Sequence, residues 1–110
     1  MKIGKLRDMK RGWFIGDFEP SLLKTRDCEV AVKSYRHGDH EGKHFHKIAT
    51  EFTVIIQGKV RMFNQVFSAG DNVVCEPGDA TDFEALDDTV NVVVKVPGAS
   101  QDKYLCGKDE

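Results

Sequence analysis

Glycine and proline cut this sequence into short runs rich in valine, isoleucine, phenylalanine and threonine. Runs of that length and composition, bounded by turn residues, read as strands. "CEVAVKSYR" (28–36) alternates, and "EFTVIIQG" (51–58) is a continuous apolar run ending in glycine. "KVRMF" (59–63) follows at once, so Gln57-Gly58 reads as a hairpin turn. Asn64-Gln65 reads as a second tight connection, before "VFSAG". "NVVCE" (72–76) and "TVNVVVKV" (89–96) complete the series, bounded by "AGD", "PGD" and "VPG". No window of useful length repeats every 3.6 residues. A short helical turn is expected only at "EPSLLK" (19–24). Many short strands with this punctuation predict an all-β sandwich or closed barrel.

At 110 residues the chain suits one domain. The strand-rich part, 28–97, is the expected barrel core. Residues 1–27 form an N-terminal arm and 98–110 a polar tail that frays unless Tyr104 and Leu105 anchor it. In the arm, "GWFIGDF" (12–18) gathers Trp13, Phe14, Ile15 and Phe18, which need an apolar cover. The arm packs on its own barrel or on a partner's, and the second arrangement makes a homodimer.

The net charge of −2 gives no footprint for a phosphate-backbone partner. No helix-turn-helix segment fits beside the strands, so no nucleic-acid partner is expected. No apolar run approaches a membrane span. "MKIGKLRDMKRGW" lacks the apolar stretch of a signal peptide. Three scattered cysteines, Cys28, Cys75 and Cys106, fit a reduced, cytoplasmic setting. Between Met62 and Val94 there is no lysine or arginine but a series of acids, Asp71 to Asp88. A solvated acidic face is the expected reading, and a surface for the basic arm is the other.

Three of the four histidines lie in "GDHEGKHFHKIATEFTVIIQG" (38–58). On a strand, His44 and His46 point to one face. Glu51, opening the next strand, can add a carboxylate. Two imidazoles and a carboxylate with open positions suit Fe(II), and also Mn, Ni or Zn. His-x-His alone is weak evidence. His37 and His40 read as exposed loop residues. The apolar run from Phe52 to Ile56 looks buried on both faces, so alternation cannot say which way Glu51 points.

The stretch Gly38, His44, His46, Glu51, Gly58 matches every fixed position of the first motif of the cupin superfamily, which the chain resembles. The second motif survives as a frame. Gly70 and Gly78 are in place, but Glu76 replaces a proline, Thr81 a histidine and Ala85 an asparagine. The resemblance implies a small jelly-roll β-barrel with a ligand site inside one mouth. It also implies a divalent metal held by His44, His46 and Glu51. Thr81, at the fourth ligand position, is a poor ligand. Three outcomes follow: water completes the set, Asp82 swings in, or the metal has been lost. The three surviving ligands favour a retained metal.

The implied pocket is lined by Ser34 or Tyr35, His44, His46, Glu51, Ile55, Met62, Val74, Thr81 and Phe83. Glu76 and Glu51 are weak candidates for a catalytic base. The resemblance allows a metal-dependent enzyme on a small organic molecule, of dioxygenase or isomerase type. It equally allows a non-catalytic binding module, or a metal-free structural cupin.

Overall fold

The computed structural model describes residues 1–106. Ten strands follow one 3-10 turn at Leu6–Asp8: β1 (Trp13–Ile15), β2 (Glu29–Tyr35), β3 (His40–Phe45), β4 (Thr50–Gln57), β5 (Lys59–Met62), β6 (Gln65–Ser68), β7 (Asn72–Cys75), β8 (Thr81–Ala85), β9 (Thr89–Val96) and β10 (Tyr104–Leu105). They form two five-stranded sheets, ordered β1-β2-β9-β4-β7 and β10-β3-β8-β5-β6. Every strand pair is antiparallel. The expected all-β jelly-roll architecture is what the chain adopts.

Alternation decides what each strand buries. In β4, Thr53 and Ile55 are buried while Phe52 and Ile56 are exposed. The run is therefore buried on one face only, correcting the two-faced reading. Glu51 shares the parity of Thr53 and Ile55 and points inward with them. The core between the sheets gathers Ile55, Val60, Met62, Val73, Cys75, Phe83 and Ala85, with Tyr35, Phe63 and Phe67 against it.

Gln57-Gly58 is not a hairpin turn, because β4 and β5 lie in different sheets. Here the chain turns a corner of the barrel. Gly58 has φ 94°, and a Cβ there would stand 2.4 Å from the Asp88 carbonyl oxygen, so the corner requires glycine. The true hairpin is β5–β6, where Met62 pairs with Gln65 around Phe63 and Asn64, both at positive φ. That moves the expected turn one residue earlier.

Residues 19–24 form no helix. They run beside β1, with Leu22 N–H donating to the Phe14 carbonyl and Gly16 N–H to that of Leu23. Pairing with β1 satisfies backbone groups that a single helical turn would leave open.

One turn device recurs at Gly38-Asp39, Gly70-Asp71 and Gly78-Asp79. Each glycine has φ between 92° and 95°. Each aspartate carboxylate accepts the N–H three residues back, at 2.8, 2.8 and 3.0 Å. Each aspartate N–H donates to the carbonyl of that same residue at 2.9 Å. Asp71, Glu76, Asp79, Asp82, Asp87 and Asp88 are exposed, as a solvated acidic face requires.

The arm joins its own barrel, with β1 pairing β2. At the other end, β10 pairs β3, bringing Leu105 opposite His44 and Tyr104 opposite Phe45. The Phe45 and Tyr104 rings stack with centres 5.5 Å apart, and the Lys47 ammonium lies 4.3 Å from the Tyr104 ring centre. Residues 107–110 of the expected tail lie outside the described residues. No described helix is long and apolar enough to cross a membrane.

Candidate functional site

Both sheets contribute to one cavity of about 40 Å³ inside the barrel. His44, His46 and Glu51 line it, with Thr81, Tyr35, Met62 and Phe83. Of the other expected lining residues, Ser34 is exposed and Ile55 lies in the core beneath. Val74 points outward, 48% exposed. Its neighbour Cys75 faces the cavity instead, because β7 starts one residue out of the assumed phase. Glu76 is exposed outside the lining, as are Asp82, His37 and His40.

β3 carries His44, and His46 follows just past its end. Their ring centres are 5.7 Å apart, nearly perpendicular. Each ring is oriented by a backbone carbonyl: His44 Nδ1 lies 2.9 Å from the Gly42 oxygen, and His46 Nδ1 2.7 Å from that of Asp102. A proton on Nδ1 donated to those oxygens leaves each Nε2 with its lone pair, the tautomer a metal-binding imidazole needs.

Asp102 was not legible as a site residue. It is 4% exposed, and its carboxylate accepts the backbone N–H groups of Lys47, Ile48 and Ala49 at 2.9 to 3.2 Å. Burial alone would raise its pKa. The three N–H donors outweigh that and hold it below the usual aspartate range. Asp102 thus latches the loop that carries His46 into β4.

Glu51 Oε1 stands 3.6 Å from His46 Nε2, too far for a hydrogen bond but close enough for charge attraction. The carboxylate raises the His46 pKa against the opposing effect of burial. Burial pushes Glu51 up, but His46 and Lys95 hold it below its ordinary value. His44 is lowered, chiefly by burial. Thr81 is buried with its hydroxyl engaged twice, accepting from Phe63 N–H at 2.8 Å and donating to the Asp82 carbonyl at 2.7 Å.

A second polar group lines the same cavity: Tyr35 was expected there, Lys33 and Glu41 were not. Tyr35 donates to Glu41 at 2.8 Å, and Lys33 Nζ lies 3.6 Å from the same carboxylate. Burial, then Glu41, pushes the Tyr35 hydroxyl far up. Burial lowers Lys33, partly offset by Glu41. Cys75 is pushed up to about 11, first by burial and then by the charges of Glu51 and Asp79. It is a thiol at neutral pH and a poor nucleophile.

Two buried side-chain polar atoms among the described residues have no hydrogen-bond partner: His46 Nε2 and Asn91 Oδ1. Both residues line this cavity. Leaving such an atom unpaired costs about 1–3 kcal/mol, so a polar guest in this cavity could satisfy them. The donor set of two imidazoles and one carboxylate suits a divalent transition metal. The donors share the cavity without closing a cage: among the described residues no three His, Cys, Asp or Glu side chains stand as a ready-made metal cluster.

No family model matches the chain, and no curated protein matches it in sequence. Solved structures do match. An uncharacterised conserved protein with a double-stranded β-helix domain from Klebsiella pneumoniae superposes with TM-score 0.70 at 22% identity, over 79% of this chain and 76% of that one. A cupin-2 domain protein from Shewanella frigidimarina gives TM-score 0.56 at 14% identity, over 68% and 76% of the two chains. The chain has the cupin fold. The DMSP lyase DddQ from Ruegeria pomeroyi also shares it, with TM-score 0.70 at 18% identity, over 84% of this cupin-fold chain and 49% of the lyase.

Proposed function

We propose that this cupin-fold protein binds a divalent transition metal through His44, His46 and Glu51 and uses it to bind and transform a small organic molecule. The observation that carries the reading is the pair of unpartnered buried atoms, His46 Nε2 and Asn91 Oδ1, lining one cavity. A bound ion would polarise oxygen atoms of the ligand. The chain's own residues would do the rest. The Asp102 carbonyl keeps the His46 proton on Nδ1 and Nε2 free. The Lys33 ammonium gives a donor, and the Tyr35 hydroxyl, whose hydrogen bond goes to Glu41, offers its oxygen as an acceptor. Met62 and Phe83 supply apolar surface. The 40 Å³ cavity admits only a few atoms of a ligand at once. A lyase on this fold agrees with an enzymatic role but does not name the reaction.

A second reading, a non-catalytic metal or small-molecule binder, draws support from Thr81. Its hydroxyl is committed to the backbone and leaves the set one protein ligand short. Elemental analysis of the untagged protein beside the His44→Ala/His46→Ala variant tests metal binding. A stoichiometric first-row metal present in the native protein and missing from the variant supports it. Equal content in both, or none in either, refutes it. Turnover that disappears on chelation and returns with one metal separates enzyme from binder.

We further propose a homodimer, formed through the outer face of the first sheet. Phe52 lies between its pairing partners Val74 on β7 and Val94 on β9, and Val54 lies beside Val92. Phe52, Ile56 and Val74 are 40%, 54% and 48% exposed. These positions carry no charge, so a two-fold pairing of the face with itself opposes no like charges.

A further inference from the structure

The barrel cavity is too small to enclose an organic ligand, whose body must extend beyond it. A wider groove of about 340 Å³ meets the cavity at Lys33, which lines both. Five cations line this groove: Lys10, Arg11, Lys33, Lys95 and Lys103. Two carboxylates, Glu19 and Glu29, share the lining, Glu41 pairs with Lys33 from the cavity side, and the rings of Trp13 and Phe18 add apolar wall. The protein as a whole carries −2, so this concentration of positive charge is local and not a consequence of composition.

The cations come from separated parts of the chain: the arm, β2, β9 and the segment entering β10. Lys10, Arg11, Lys95 and Lys103 form no ion pair among the described residues. The Lys33 and Lys95 ammonium groups lie 5.5 and 5.0 Å from the centre of the Trp13 ring. The ring attracts both and holds them near each other. Gathered like charges repel, and an incoming anion relieves that repulsion. Arg11 and Lys103 add to the effect of burial in lowering Lys33, a sign that the cations feel one another.

We propose that this groove binds the carboxylate of a small organic acid, with the body of the acid against Trp13 and Phe18. As an account of the substrate, it rests on the cavity being the reactive end. As a binding site, it stands apart from the metal. The aromatic wall offers contact that inorganic phosphate cannot use, so the groove selects an organic anion.

Trp13 is the sole tryptophan, and its fluorescence reports on the groove directly. The full-length protein, with and without chelator, is titrated at constant ionic strength with benzoate, benzyl alcohol and inorganic phosphate. Benzoate should give a saturable change, and the other two little or none. Lys95→Met/Lys103→Met should weaken benzoate binding roughly tenfold, the loss of two charge-assisted contacts. If that variant does not fold, Lys103→Glu at an exposed position should weaken it in the same direction. Binding should persist in His44→Ala/His46→Ala. No saturable benzoate response, an equal response to benzyl alcohol or phosphate, or unchanged binding in the lysine variants overturns the proposal. Benzoate binding by a protein that holds no metal sinks the metal reading and leaves the groove standing. Metal without benzoate binding does the reverse.

Discussion

At the scale of single residues, burial and hydrogen bonding rank the positions. Ile55 is fully buried in the core, and Ile55→Ala should cost about 3–4 kcal/mol in chemical denaturation, since a tight core refills poorly. Asp102 has a comparable effect by a different route. Asp102→Ala strands three backbone donors and should cost about 3 kcal/mol. The carboxylate's pKa is lower folded than unfolded, so its stabilisation is complete above the unfolded value near 3.9. It is lost as pH falls through the lower folded value. Melting temperature against pH should therefore fall more steeply below about pH 4 in the native protein than in Asp102→Asn. Parallel curves would remove Asp102 as the latch.

At the scale of elements, the turns carry information that strand propensity does not. Gly78 and Gly58 share a positive φ, but a Cβ at Gly78 meets nothing within 4 Å and one at Gly58 meets backbone. Gly78→Ala should cost about 1 kcal/mol from the left-handed backbone alone. Gly58→Ala should cost about 3 kcal/mol or more, because the corner must also open. Urea titrations of the two variants check the order. The strands found in the sequence were those with β-branched alternation. β3 (HEGKHF) and β8 (TDFEA) gave no strand pattern of their own because they are polar, and pairing with each other makes them strands. β1 and β10 escaped because they are only three and two residues long. The corner at Gly58 was misread because a strand–glycine–strand sequence is locally the same whether the second strand folds back or crosses to the other sheet.

At the scale of the whole molecule, the proposed dimer rests on the exposed row of Phe52, Ile56 and Val74. Sedimentation equilibrium should report a dimer, and Ile56→Lys should shift it to monomer without changing the far-ultraviolet spectrum. A native protein that sediments as a monomer at high concentration would assign that face to another role. Charge is likewise distributed by the fold. The basic arm does not lie on the acidic region but turns Lys10 and Arg11 toward Lys33, Lys95 and Lys103.

His44, His46 and Glu51 could be picked out in the linear chain because they lie within eight residues and match the fixed positions of the cupin motif, although alternation alone left the direction of Glu51 open. Strand alternation and the repeated Gly-Asp turns belong to the same class, governed by backbone preferences a few residues wide. Asp102, Lys33, Asn91 and Cys75 reach the site only because distant strands pair in one register. His46 and the oxygen that orients it are 56 residues apart. Local chemistry thus set the strands and one side of the cavity. Long-range pairing, which no local preference encodes, chose the other walls, the latch and the charged groove beside them.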